Sequence, residues 1–157
     1  MMPGTFMSEL QYGIRVAIPG DGPAVGPLAT ELGYTDNRAE TADRLGRVLA
    51  TPGNKVLVAE TAEQEVIGWI HVFGTVRVES EGFAELGGLV VAESWRGRGV
   101  GAQLVAADER WAMDNGYHRL RIRSREERTE AHRFFERLGF NAHKTQHVFE
   151  RPLAGEP

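Results

Sequence analysis

The chain of 157 residues is 41% hydrophobic and 25% charged, with a net charge of −4. That size and composition fit one packed domain over residues 1–157, with a core at about 12–150 and loose ends at 1–10 and 153–157. The acidic balance lacks the basic footprint of a nucleic-acid binder, and the absence of cysteine excludes disulfides, a cysteine acyl-enzyme and thiolate metal sites.

The N-terminus shows no apolar leader, and no run approaches the roughly 18 apolar residues of a membrane span. A cytoplasmic protein with no membrane or nucleic-acid partner is expected. Alternation over residues 12–18 predicts a first strand. Pro19-Gly20-Asp21-Gly22 breaks it, and Asp21 is placed to cap a helix reaching Leu32. A second helix is expected over 39–50. Its apolar face is thin, which suggests a peripheral lid.

Residues 55–60 and 66–78 read as two strands joined by the polar turn Ala62-Glu63-Gln64-Glu65. The continuous apolar runs at 56–59 and 66–70 suit strands buried on both faces. A further strand is expected over 83–92. Residues 99–115 form a helix, with Val100, Leu104, Ala107 and Trp111 at helical spacing and Gly116 after it as a left-handed cap. Leu120 and Ile122 mark a short strand. Ala131, Phe134, Phe135 and Leu138 share one face of a helix over 129–138, and residues 140–150 are expected to supply one or two closing strands. Hairpins first and strand–helix–strand crossovers later imply an α/β fold, a mixed sheet with helices on both faces.

The loop Arg96-Gly97-Arg98-Gly99-Val100-Gly101-Ala102 carries the chemistry. A helix starts inside it, and a first helical turn presents unpaired N–H groups and a partial positive charge. Glycines let an anion approach that backbone, and Arg96 and Arg98 add charge. This is a site for a pyrophosphate or another anion. The spacing Gly97-x-Gly99-x-x-Ala102 also fits a dinucleotide fingerprint. That motif belongs to the first strand–helix unit of a larger sheet, with an acid closing the next strand, whereas the next strand here ends Arg121-Ile122-Arg123.

With Arg96, Gly99 and Gly101 in the order Arg, two residues, Gly, one residue, Gly, the segment resembles the acetyl-CoA signature of the GNAT superfamily of N-acetyltransferases. The preceding strand, residues 84–91, and the segment from Arg128 to Phe140 resemble that family's neighbouring motifs, and the element order matches over about 12–150. The resemblance implies a mostly antiparallel sheet whose central strands splay beside the coenzyme. It also implies acetyl transfer from acetyl-CoA to a primary amine, by direct attack in a ternary complex. The acceptor would be a small metabolite, an aminoglycoside-like drug or a protein amine, and dimers are common in the family.

Gly87-Gly88 inside a strand is locally unfavourable and calls for a bulge or a close backbone approach, with close packing of a helix as the plainer explanation. By the resemblance, a bulge there opens the gap for the pantetheine arm. Leu89, Val90 and Val91 line it, with a backbone N–H near Leu89 or Val91 polarising the thioester carbonyl. Arg96, Gly97, Arg98, Gly99, Val100, Gly101 and Ala102 hold the pyrophosphate, and Arg128 and Phe134 flank the coenzyme.

Glu85, eleven positions before Arg96, matches a catalytic glutamate of some members. A carboxylate there can take the proton that a lysine-like ammonium must lose before attack. Glu81 and Glu93 are weaker alternatives, since both fall in turns. The family's usual tyrosine, the acid for the departing thiolate, is here Phe135. Ser124, water or substrate would then supply the proton, or the protein would chiefly bind an acyl-CoA. Tyr12, Tyr34 and Tyr117 are poorly placed for the task. Trp69, His71 and Phe73 on the third strand are placed to reach the substrate side, with core packing as the plainer role for the two aromatics. His143 and His147 have no carboxylate cluster beside them, so no metal is expected. The acceptor pocket is expected from residues 32–52 and the last strands.

Overall fold

The computed structural model describes residues 11–32 and 38–154. Tyr34, the loose end expected at 1–10, residues 155–157 of the one expected at 153–157, and part of the expected acceptor region (33–37) lie outside them. The chain divides into two compact units, residues 1–123 and 124–157.

The first unit is built on five strands: β1 (Tyr12–Val16), β2 (Asn54–Thr61), β3 (Val66–Thr75), β4 (Phe83–Val91) and β5 (Leu120–Ile122). They lie side by side in chain order. The first four pair antiparallel, and β5 runs parallel to β4. The expected mixed, mostly antiparallel sheet is therefore present. Val56, Leu57, Val58 and Ala59 of β2 are all buried, as their unbroken apolar run requires of a strand covered on both faces.

Helices α1 (Gly22–Ala29) and α2 (Arg38–Ala50) cover one face, and α3 (Val100–Asp114) covers the other. On the first face Val25 and Leu45 meet Ala17, Val56 and Val58, with Val48, Leu49 and Trp69 packed around them. Helix α2 is thus part of the core rather than a peripheral lid: Leu45 alone inserts fully, and Val48 and Leu49 complete the contact. On the opposite face Ala112 meets Val72 and Ala84, flanked by Trp111, Tyr117 and Leu120.

Asp21 does not cap α1 with its side chain. Its carboxylate turns back to accept the Ile18 N–H at 2.8 Å and two bonds from the Arg15 guanidinium, both at 2.9 Å. Arg15 also holds Glu60 at 3.0 and 3.1 Å. These bonds, Arg15 first, hold the Asp21 carboxyl below its usual range.

The second unit contains α4 (Thr129–Arg137). Phe134 stands edge-on to Phe135, and Phe135 edge-on to Phe140. The closing strands expected over 140–150 are not formed. A strand exists only where a second one satisfies its backbone, and among the described residues none pairs with this segment. Val148 and Phe149 are accordingly exposed.

One buried group went unread in the sequence. Asp108 of α3 is fully buried, and neither carboxylate oxygen has a hydrogen-bond partner among the described residues. Burial pushes its pKa up to about 8. The unfolded carboxyl titrates near 4, so between about pH 4 and 8 folding takes up a proton. Stability then falls as pH rises through that window, by about 1.4 kcal/mol per unit. Asp108→Asn removes this term. Urea unfolding at about pH 5.5 and pH 8 should show the variant gaining on the parent as pH rises, and a difference that does not change with pH would contradict the assignment.

Candidate active site

The site begins at a break in register. His71 of β3 pairs with Gly88, while the next residue, Val72, pairs with Leu86, so Gly87 is an extra residue in β4. This is the expected bulge. Neither Gly87 nor Gly88 has a left-handed φ, so both are needed for space. A Cβ at 87 would lie 2.9 Å from His71 Nδ1 and 3.0 Å from Phe73, and one at 88 would lie 3.0 Å from the Trp69 ring. Three β3 side chains, not a helix, make the close approach.

The bulge bends β4 away from its parallel neighbour. β5 pairs only with Ala84, Glu85 and Leu86. From Gly87 to Val91 the strand has no partner on that side among the described residues. Leu89, Val90 and Val91 line this opening. Val90 is buried, and Leu89 and Val91 are half-buried.

Beyond the opening, the 3-10 turn Glu93–Trp95 leads into the loop, and α3 starts at Val100. Gly97 and Gly99 take φ of +77° and +86°, with nothing within 4 Å of a Cβ at either. No side chain caps α3. Its first-turn N–H groups, at Val100, Gly101 and Ala102, therefore face an open approach. The two arginines are engaged within the protein. Arg96 gives its Nε to Val91 O at 3.1 Å and pairs with Glu31, and Arg98 lies 4.7 Å over the Trp95 ring. The loop's affinity for an anion then rests on backbone groups and the helix end as much as on free side-chain charge.

Glu85 lies opposite Phe73, on the face carrying His71, and accepts Arg123 Nε at 3.0 Å. His71 donates a hydrogen bond from Nε2 to Asn54 Oδ1 at 2.8 Å and stacks obliquely on Phe73 at 5.3 Å. Burial lowers its pKa from the ordinary 6.5. Among the tyrosines, Tyr12 is buried edge-on to Trp95, and Tyr117 fills the space above Gly74. Glu81 and Glu93 are exposed. In the second unit, Ser124 has a shielded hydroxyl without a hydrogen-bond partner, and Arg128 precedes α4. Among the described residues no group of three or more His, Cys, Asp or Glu is placed to hold a metal ion, and no helix is long and apolar enough to cross a membrane.

A strand edge left unpaired beside an uncapped, glycine-built helix start fits the coenzyme A site that the family resemblance implies. The acetyltransferase (GNAT) family model matches residues 28–140. The chain is 32% identical over 147 residues to the aminoglycoside N(6')-acetyltransferase type 1 of Stenotrophomonas maltophilia, covering 89% of this chain and 93% of that one. Its fold matches the aminoglycoside 6'-N-acetyltransferase AAC(6')-Ih of Acinetobacter baumannii, with a TM-score of 0.81 at 17% identity over 91% and 99% of the two chains. It also matches AAC(6')-Iy in complex with CoA, with a TM-score of 0.80 at 21% identity over 90% and 95%. The chain belongs to the GNAT acetyltransferase family. Its activity is acyl transfer from acetyl-CoA.

Gly99→Ala tests the loop. An alanine at a left-handed φ costs about 1–2 kcal/mol, and the strain bears on the start of α3. CoA affinity by calorimetry should fall about tenfold. Gly46→Ala, in α2 with nothing within 4 Å of its Cβ, should bind as the parent does.

Proposed function

We propose that the chain transfers acetyl from acetyl-CoA to a primary amine on a small cationic molecule, by direct attack in a ternary complex, and that the whole chain serves as one acetyltransferase domain. The observation carrying this is the five-residue stretch of β4, Gly87 to Val91, left without a β5 partner beside the open N-terminus of α3. An extended pantetheine arm can pair with that strand edge while the pyrophosphate sits on the first-turn N–H groups. A backbone N–H near Leu89 or Val91 then stabilises the charge that develops on the thioester oxygen.

An acidic side chain, Glu85, stands on the sheet face beside the gap and attracts the ammonium of the acceptor. The likeness to aminoglycoside acetyltransferases supports a polyamine sugar as acceptor, and the net charge of −4 favours a cation. Ser124 as proton donor to the departing thiolate, and Arg128 and Phe134 as coenzyme contacts, belong to this reading through the family resemblance alone.

Free thiol released from acetyl-CoA in the presence of aminoglycosides, alkyl diamines and lysine peptides tests the proposal. Turnover is expected with at least one aminoglycoside, well above hydrolysis without acceptor. Turnover only with peptides would overturn the small-molecule reading, and none with any amine would overturn amine acetylation.

A further inference from the structure

We propose that His71 is the catalytic base of this acetyl transfer, taking the proton from the acceptor ammonium through Nδ1 while Asn54 holds its ring. The inference rests on the reading of the site as an amine acetyltransferase. It assigns the proton to a β3 side chain rather than to Glu85.

The ring lies over the bulge. His71 pairs with Gly88, and its Nδ1 stands 2.9 Å from where a Cβ of Gly87 would be. The two glycines thus leave room for an imidazole against the backbone where the thioester arm begins its pairing. The second nitrogen is occupied: Nε2 lies 2.8 Å from Asn54 Oδ1. A carbonyl oxygen only accepts, so Nε2 carries the hydrogen and Nδ1 keeps its lone pair. Phe73 packs against the ring at 5.3 Å and limits its rotation.

The surroundings favour the neutral ring. Burial lowers the His71 pKa. From β2, Val56 stands opposite His71 and Asn54 is the polar neighbour. From β4 the charged group on this face is Glu85, whose Oε2 accepts a bond from Arg123 beyond β5. The helices on this face pack Val25, Leu45, Val48 and Leu49 against Val56 and Val58. The ion-paired Arg15, Asp21 and Glu60 lie further along β1 and β2, and on β5 Arg121 stands opposite Glu85. Glu85 is left as the charge that attracts the ammonium, and His71 as an uncharged base at neutral pH.

The step balances. Nδ1 first takes one proton from the ammonium, and the neutral amine then attacks the thioester carbonyl. The C–S bond breaks as the C–N bond forms, the attacking nitrogen sheds its second proton to solvent, the sulfur leaves as thiolate, and the imidazolium proton also returns to solvent.

The test compares the parent with His71→Gln and Asn54→Ala across pH, using an aminoglycoside or alkyl diamine and, separately, hydroxylamine, an amine already largely neutral at the assay pH. With the ammonium acceptor, the parent should lose kcat/KM as pH falls through a value below about 6.5. In His71→Gln, kcat at neutral pH should drop about 100-fold, with the rate rising instead toward the amine's own pKa. KM for acetyl-CoA should stay unchanged and show the fold intact. With hydroxylamine the variant should stay within a few-fold of the parent. Asn54→Ala, which keeps the ring but frees its tautomer, should lose several-fold with the ammonium acceptor only.

Equal losses with both acceptors would make His71 structural and overturn the assignment. A retained acid limb in His71→Gln, with its loss in Glu85→Gln, would return the proton to Glu85. If the parent turns over no amine, the acetyl-transfer reading falls first, and this inference with it.

Discussion

One extra residue in β4 organises this molecule. Gly87 has no counterpart in β3, and from that point the strand no longer keeps company with β5. A sheet interior normally satisfies every N–H and C=O. Here a short length of backbone is left over, and the opening it lines ends at the glycine-built start of α3. His71 and Phe73 of β3 lie over this extra residue, so the gap and the side chains beside it meet at one irregularity.

Charge around the site is arranged in pairs. Arg96, the arginine of the coenzyme motif, is tied to Val91 O and Glu31, and Glu85 is tied to Arg123. Such pairs hold side chains in place more than they add stability, since partly exposed ion pairs contribute little. The Arg15–Asp21–Glu60 group is a tighter version, joining β1, the following turn and β2. Asp108 is the exception, a carboxyl with nothing opposite it among the described residues.

Much of this was legible in the residues. The helices and strands of the first unit declared themselves through periodicity, and Gly87-Gly88 announced an irregularity in β4. What escaped depended on partners distant in sequence. The contact between His71 and Asn54 spans 17 positions and has no local signature. The engagement of Arg96 by Glu31 is hidden for the same reason. Asp108 was within reach: it follows Val100 and Leu104 at intervals of four, on the buried stripe. Its polarity masked its position. The expected closing strands failed because alternation in a segment does not supply a partner.

The order of the strands has a consequence for how the molecule assembles. Position in the sheet follows position in the chain from β1 to β5. β3 and β4 close short loops onto their predecessors, with little entropy lost, whereas β1 is joined to β2 through α1 and α2, and β5 to β4 through the α3 crossover. Contacts distant in sequence form more slowly. The β2–β4 meander is therefore a scaffold available early, and the two edges, β1 and the β5 that bounds the opening, are the later parts of the sheet to close. The opening beside β4 thus lies at a late-closing margin of the sheet, not within its early scaffold.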